Sequence, residues 1–415
     1  MDTPRDAIDC YRLAISREVE LSSFWGKYFL LDGALLDVPN GFSHHALLLR
    51  FAPVFRILMV LARPGWVFAG LPILAAAWAL RWSLAAGWGQ KVAATGPVYL
   101  HASNDRNMSF VPSDDGRPAT AITLPWRQSS VPGAWATSCI DLRRISTRTS
   151  VWRAAWWSVR AGFRLWRSPE RRTVLFTYSA PNWLWVYDAL RSTARDSVWI
   201  SNHVDRWASL ATSLPGVRVT VVQHGDLGHL DVRSNTRLVP RLTHRLPHVE
   251  RVFVTDAASI DEFIGSVTGN GPEFSRIELG MHVVPWADAM IDVRRVLIIG
   301  HPDAQAAIGR LIRDVSARVA GAVMFAYRPH PTEARPVVLP FVAAERVTIT
   351  STGNTVPAVD VVVSYGSSVT SEIISATGAA LVHWDPNDAQ SAQDTVDAIA
   401  SYLAAGRLLP TALRS

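Results

Sequence analysis

The amino-acid sequence predicts an α/β protein with two Rossmann-like domains that face a cleft, preceded by an apolar helical region. From residue 97 onward, short β-branched runs alternate with helical stretches, which is typical of βα units on a parallel sheet. This rhythm breaks near Gly280, and a second series begins at Val296. Hydrophobic residues make up 49% of the 415 residues and charged residues 18%, which excludes a disordered chain. We therefore predict three regions, residues 1–90, 91–285 and 286–415.

The first 90 residues differ in composition from the rest of the chain. From Leu47 to Trp82 the sequence is strongly apolar, and the 15 residues of Trp66–Leu80 carry no charge. A helix that spans a bilayer needs about 20 apolar residues, so we expect this segment to lie in a membrane interface. A buried helical pair in the first domain and a true transmembrane span are the alternatives.

A second candidate for membrane contact is the helix predicted over Val151–Arg167. At about 100° per residue, four arginines share one narrow face of this helix: Arg153, Arg160, Arg164 and Arg167. Trp156 and Trp157 flank that face. A basic amphipathic helix bordered by tryptophan suits an anionic membrane surface. A solvated arginine face on an ordinary packing helix is the alternative.

The alternating elements fall into two series of predicted strands. The first series comprises Pro97–Ala102, Thr173–Tyr178, Ser197–Ile200, Val217–Val222 and Arg251–Thr255. The second comprises Val296–Gly300, Ala322–Tyr327, Val347–Thr350, Val361–Ser364 and Ala380–His383. Ligands of such sheets bind outside the carboxyl ends of the strands, so we expect functional residues at these ends.

Three strand ends carry polar residues that suit chemistry. His224 and Asp226 follow the strand that ends at Val222, on either side of a glycine. The second strand end is the run Arg328-Pro329-His330-Pro331, whose prolines keep the histidine out of a helix. The third is Ser367-Ser368, which leads from a β-branched strand into a helix predicted over Val369–Ala376. Serines at a helix N-terminus predict an anion site, and a phosphate or diphosphate is its natural occupant.

These three motifs, in this order, resemble those of bacterial GT-B glycosyltransferases of surface-polysaccharide synthesis. That group includes the polysialyltransferase-like and CDP-glycerol glycerophosphotransferase-like enzymes. The matching residues are Gln223-His224-Gly225, Arg328-Pro329-His330-Pro331 and Ser367-Ser368 with Glu372. The resemblance covers roughly residues 215–385, weakens over 95–215 and does not extend to the first 90 residues.

The resemblance implies a role for each matching position. His330, Ser367 and Ser368 would bind the donor's nucleotide phosphates, Arg328 would add a fixed charge, and Glu372 would accept hydrogen bonds from a ribose. His224 would be the general base on the acceptor side. The related sialyltransferases place an acidic pair before the glycine, whereas this chain reads His-Gly-Asp, so Asp226 is the alternative base.

The resemblance and the composition together imply a metal-independent transferase. It would use a nucleotide-activated donor as substrate, need no cofactor, and act on a glycan or lipid-linked acceptor. With a net charge of +6 and no secretory signal at Met1, we expect a cytoplasmic protein, peripheral on the inner face of the membrane and not bound to nucleic acid. A nucleotide-sugar 2-epimerase of the same fold and a non-catalytic membrane-associated relative are the alternatives.

Overall fold

The computed structural model describes residues 7–28, 62–88, 96–102, 106–126, 136–193, 196–201, 206–223, 229–231, 236–255, 257–269, 271–278, 281–286, 293–300, 305–319, 322–329, 339–340, 347–350, 355–364, 369–384 and 389–404. Contacts divide the chain into two compact units. The first consists of Met1–Gly228 with Val239–Glu278, and the second of His229–Leu238 with Leu279–Ser415.

The first unit is built on a seven-stranded sheet. Its strands are β1 (Val98–His101), β2 (Thr120–Thr123), β3 (Ser138–Asp141), β4 (Ser197–Ile200), β5 (Arg218–Val222), β8 (Val249–Val254) and β9 (Glu273–Arg276). They run in the order β3-β2-β1-β4-β5-β8-β9, and every neighbouring pair is parallel. All residues of β1 and β4 are buried, as expected for a parallel sheet covered on both faces.

Helices surround this sheet and include the described part of the first 90 residues. They are α1 (Ala7–Tyr28), α2 (Ala62–Leu84), α3 (Leu142–Ile145), α4 (Arg148–Trp166), α5 (Ala180–Thr193), α6 (Arg206–Thr212) and α7 (Ala258–Glu262). Apolar side chains of α1 and α2 belong to the same buried core as β1 and α5. Whereas the predicted division gave residues 1–90 a region of their own, their described part packs with the first sheet.

Tryptophans account for much of this packing. The ring of Trp185 on α5 lies 5.6–5.9 Å from four other indoles, measured between ring centroids. These are Trp78, Trp82, Trp88 and Trp126. Several tryptophans of the first half of the chain therefore stabilise the core, since large aromatic rings bury much apolar area.

The second unit contains a five-stranded parallel sheet. Its strands are β11 (Arg294–Ile299), β12 (Val323–Arg328), β13 (Val347–Ile349), β15 (Val361–Ser364) and β16 (Ala380–His383), in the order β13-β12-β11-β15-β16. Its helices are α8 (Gln305–Arg318), α9 (Thr370–Thr377) and α10 (Ala389–Ala404). The described residues also form two small sheets of two strands each. One pairs β6 (His229–Asp231) with β7 (Thr236–Leu238), and the other pairs β10 (His282–Val284) with β14 (Thr355–Pro357).

The predicted fold class, an α/β protein with two Rossmann-like parallel sheets, is confirmed. Nine of the ten predicted strands are present within a few residues of their predicted bounds. The exception is Thr173–Tyr178, which lies within a 3₁₀ helix over Arg171–Ser179. The prediction was wrong there because a short apolar run does not by itself distinguish a strand from a buried helical turn. The predicted cleft between the domains stays a prediction.

Candidate functional site

The second sheet has a topological switch point between β11 and β15. The chain passes from β11 to β12 and β13 on one side of the sheet and then returns to place β15 and β16 on the other. Where successive connections diverge in this way, a crevice opens outside the carboxyl ends of the two central strands, and ligands of doubly wound sheets bind there. In the sequence, the predicted serine motif comes three residues after the end of β15, which is one of the two strands at this switch point.

Ser367 and Ser368 lie outside the described residues, but both ends of the segment that holds them are fixed. Ser364 ends β15 and Thr370 begins α9, both are buried, and their hydroxyl oxygens are 2.5 Å apart. The N-cap residue of α9 is Val369, whose side chain forms no capping hydrogen bond. Ser368 therefore directly precedes the N-cap residue in the sequence, and the anion-binding role of the serines stays a prediction.

Arg328 ends β12, next to the switch-point strand β11. Its side chain is buried, and Nη1 donates a hydrogen bond of 3.0 Å to the carbonyl oxygen of Thr355. Its own carbonyl accepts from Gly300, the residue after β11, at 2.8 Å. The guanidinium is thus held at the carboxyl edge of the sheet. Glu372 lies in the first turn of α9 and is partly buried, while His330 is outside the described residues.

In the first unit, a buried glutamine organises the carboxyl edge of the sheet. Gln223 follows β5, and its Oε1 accepts a hydrogen bond from the amide of Thr255 at 2.8 Å. Its Nε2 donates to Ser259 Oγ at 3.1 Å, and its carbonyl accepts from Asn107 Nδ2. The network joins the ends of β5 and β8 and fixes the backbone at the point where the chain enters His224. His224 itself and Asp226 lie outside the described residues.

Two further polar residues occupy the switch point of the first sheet, between β1 and β4. His101 ends β1 and Ser201 follows β4, and both side chains are buried. Neither residue was predicted from the sequence. A polar residue at the carboxyl end of a buried strand is the signal that would have indicated both, since a similar signal indicates His224.

A largely buried ion pair lies at the start of α6. Arg206 Nη2 lies 2.5 Å from Glu18 Oε1, and the guanidinium lies over the ring of Tyr178. Burial opposes the charged form of Arg206, but Glu18, Tyr11 and Tyr178 outweigh it and raise the pKa of Arg206. For Tyr11, burial opposes the charged phenolate and so raises the pKa. The Tyr11 hydroxyl donates a hydrogen bond to the carbonyl of Phe176. These contacts tie α1 to α6.

The four arginines predicted on one face are exposed, three of them on α4 and Arg167 at its C-cap. Arg153 Nη1 lies 3.0 Å from Asp188 Oδ1, and Arg164 Nη1 lies 3.4 Å from Asp9 Oδ1. Arg160 and Arg167 form no ion pair with any described residue. The membrane role of this face stays a prediction.

Among the described residues, no three His, Cys, Asp or Glu side chains are grouped so that they could hold a metal ion. The predicted absence of a metal from the reaction stays a prediction.

No protein-family model and no curated protein matches the chain. Several solved structures of glycosyltransferases are similar to it in fold. The chain spans about half the length of two of them, the GtfA/B complex (54%) and the pneumococcal O-GlcNAc transferase GtfA in complex with UDP and GlcNAc (55%). These two matches cover 55% and 56% of this chain at 11% and 13% identity, each with a TM-score of 0.33.

A longer match is to a trehalose-6-phosphate synthase studied with bisubstrate glycomimetics. It covers 77% of this chain and 92% of that chain, at 11% identity and a TM-score of 0.42. Similarity at this level does not extend to activity, substrates or site residues.

Proposed function

We propose that the chain is a GT-B-type transferase that moves a group from a nucleotide-activated donor to an acceptor hydroxyl. The observation that carries the proposal is the strand order of the second sheet. It places the switch point between β11 and β15, and Gly366-Ser367-Ser368 follows β15 at that point. A buried arginine lies at the end of β12, the other neighbour of β11. Backbone N–H groups at a helix N-terminus, hydroxyls and a fixed guanidinium are groups that bind phosphate.

The proposed chemistry divides between the two units. In the first, His224 or Asp226 would take the proton of the acceptor hydroxyl, whose oxygen then forms the new bond to the transferred group. In the second, His330, Ser367, Ser368 and Arg328 would stabilise the negative charge that the nucleotide phosphate gains as its bond to that group breaks. Glu372 would bind the ribose. No step needs a metal or a cofactor.

We further propose that the transferred group is a sugar or a glycerol phosphate and that the acceptor is a surface polysaccharide or a glycolipid. This finer assignment rests on the sequence motifs, which resemble those of surface-polysaccharide enzymes. With it we propose that the protein acts at the cytoplasmic face of the membrane.

The first experiment identifies the nucleotide. We expect one of CMP, CDP, UDP and GDP to raise the unfolding temperature, because a ligand that binds only the folded state stabilises it by mass action. Calorimetry with that nucleotide then tests the site. Ser368→Ala and His330→Ala should each weaken binding by about tenfold or more, since each loses a charge-assisted hydrogen bond. The control Ser375→Ala, at an exposed serine of α9, should leave the dissociation constant unchanged.

Unchanged binding in Ser368→Ala and His330→Ala would contradict the proposed donor site. Turnover of a nucleotide-sugar without any acceptor would contradict transfer and support an epimerase. Nucleotide binding without transfer to any acceptor would instead support a non-catalytic protein.

A further inference from the structure

The outward face of α2 is apolar. One stripe of this helix is buried against the first unit: Val67, Leu71, Ala75, Ala79 and Trp82. The remaining face exposes large apolar side chains, each 37–76% accessible: Phe68, Ile73, Leu74, Leu80 and Leu84. Only Arg63 and Arg81 carry charge between Ala62 and Leu84. The surface helix of a water-soluble domain normally carries polar residues on the face that points to solvent.

The apolar surface continues onto α4. The two helices pack closely at Gly162, where a β-carbon would lie 2.4 Å from Leu71 Cδ2. Next to this contact, Phe68 of α2 packs edge-on against Phe163 of α4, with ring centroids 5.4 Å apart. At about 100° per residue, Trp152, Trp156 and Phe163 fall between the side of α4 that contacts α2 and the row of arginines. Trp152 and Trp156 are exposed.

Positive charge borders this surface. The row formed by Arg153, Arg160, Arg164 and Arg167 lies beyond the tryptophans, and Arg81 is exposed on α2. Neither Ala62–Leu84 nor Arg148–Trp166 contains an acidic residue. A second copy of the chain that docked here symmetrically would bring one basic surface against another, since a twofold interface is formed by the same surface patch on both copies. An anionic phospholipid surface complements both the charge and the apolar face.

The way α2 packs decides between lying on a bilayer and crossing one. By length and composition the 23-residue helix Ala62–Leu84 could cross a membrane. However, Trp66 Nε1 donates to Thr177 Oγ1 at 3.0 Å and Trp78 Nε1 donates to Asn182 Oδ1 at 2.8 Å. Crossing the bilayer would remove these hydrogen bonds and the buried stripe from the core of the first unit. The contacts therefore favour a helix that lies in the plane of the interface.

We propose that the exposed faces of α2 and α4 form a membrane-docking surface that binds anionic phospholipid, with α2 in the interfacial plane and the arginines at the headgroups. The surface is built entirely within the first unit. The proposal goes beyond nucleotide-dependent transfer and does not depend on it.

Vesicle flotation tests the proposal with the full chain. The protein should float with vesicles of phosphatidylcholine and phosphatidylglycerol and much less with phosphatidylcholine alone. The double variant Leu80→Glu/Leu84→Glu should lower partitioning by about tenfold or more, because it places charge in the apolar contact. Arg160→Glu/Arg167→Glu should abolish the preference for anionic vesicles, because it reverses two charges at the headgroups. The control Ile349→Glu/Tyr402→Glu alters comparably exposed apolar residues of the second unit and should float as the wild type does.

Three results would overturn the proposal, provided that the variants keep the wild-type unfolding temperature. The first is equal flotation of Leu80→Glu/Leu84→Glu and the wild type, or no flotation of either. The second is a concentration-dependent dimer that Leu80→Glu/Leu84→Glu abolishes without any vesicle binding, which would make the surface a self-interface. The third is resistance to alkaline carbonate extraction, which would indicate a spanning helix. Nucleotide binding is measured separately and can fail or succeed independently.

Discussion

In each of the two large sheets, one buried polar side chain forms hydrogen bonds at the carboxyl ends of the strands. Gln223 uses both ends of its amide, one on the backbone of Thr255 and the other on Ser259. Arg328 plays the equivalent part in the second sheet by donating to the carbonyl of Thr355. In each case the next residues along the chain are those predicted to do chemistry. We therefore expect both side chains to hold the backbone from which the next segment starts, in addition to the phosphate contact proposed for Arg328.

Gln223→Leu should both destabilise the first unit and slow turnover. Leucine is close in size but removes the hydrogen bonds that Gln223 accepts from the Thr255 amide and donates to the Ser259 hydroxyl, which costs about 1–3 kcal/mol. It also frees the backbone that leads into His224, so the rate of transfer should fall while the nucleotide dissociation constant stays the same. Denaturant unfolding and calorimetry measure the two effects.

Gln390→Leu is the matched control, because Gln390 is exposed and bonds to Asp394 along the surface of α10. It should change the free energy of unfolding by less than about 0.5 kcal/mol. If Gln223→Leu also weakened nucleotide binding, the glutamine would have a role in the donor site and not only in positioning. If it affected neither stability nor turnover, the positioning role would be wrong.

The position of these residues could be predicted from the sequence, but their partners could not. Polar residues after β-branched runs located Gln223 and Arg328 at strand ends, because the periodicity of strands is local. The residues that they bind are 116 positions away for Asn107 and 27 for Thr355. Such contacts depend on the order of strands in the sheet. His101 and Ser201 were missed although they carry the same signal as His224.

Among the secondary-structure elements, the second series of strands was the most predictable part of the chain. Its central strands β11 and β15 contain short runs of apolar, largely β-branched residues that are buried, as expected for a parallel sheet covered on both faces, so that composition marks them. The run TVLFTY at residues 173–178 has a similar composition but forms a 3₁₀ turn between α4 and α5. There Val174 and Phe176 are buried in the core, and the segment packs against the helices α1, α4 and α5. Tertiary packing overrides local propensity in that segment.

Gly309 permits the contact of α8 with the chain at Pro340. A β-carbon on Gly309 would lie only 1.8 Å from the carbonyl oxygen of Pro340, a backbone atom that no side-chain rotation can remove. Gly309→Ala should therefore displace α8 and destabilise the second unit by about 1–3 kcal/mol, although alanine is the better helix former. The midpoint of chemical unfolding measures this loss.

Gly265→Ala serves as the comparison, because nothing lies within 4 Å of the added carbon. It should leave stability unchanged or raise it slightly by restricting the unfolded chain. Equal stabilities for Gly309→Ala and the wild type would show that α8 does not pack on Pro340 as described.

At the scale of the whole molecule, the apolar cores of the described residues divide between two units. One cluster of buried residues links α1, α2, α4 and α5 to the first sheet, whereas other clusters surround the second sheet. The break in sequence rhythm near Gly280 lies beside the boundary at Leu279 that contacts define. The break was visible because each series of βα units has its own regular spacing. Nothing comparable in the sequence marked the packing of α1 and α2 with the first sheet.

Separate cores predict two calorimetric unfolding transitions, of which the nucleotide should raise only one. The donor site is proposed within the second unit, so at a nucleotide concentration about 100 times the dissociation constant that unit gains about 2.7 kcal/mol. Its transition should then rise by roughly 5–10 °C. Gly309→Ala lies in the same unit and identifies its transition by lowering it. A single transition in the absence of nucleotide would contradict independent cores. A nucleotide that raised the transition unaffected by Gly309→Ala would place the donor site in the first unit.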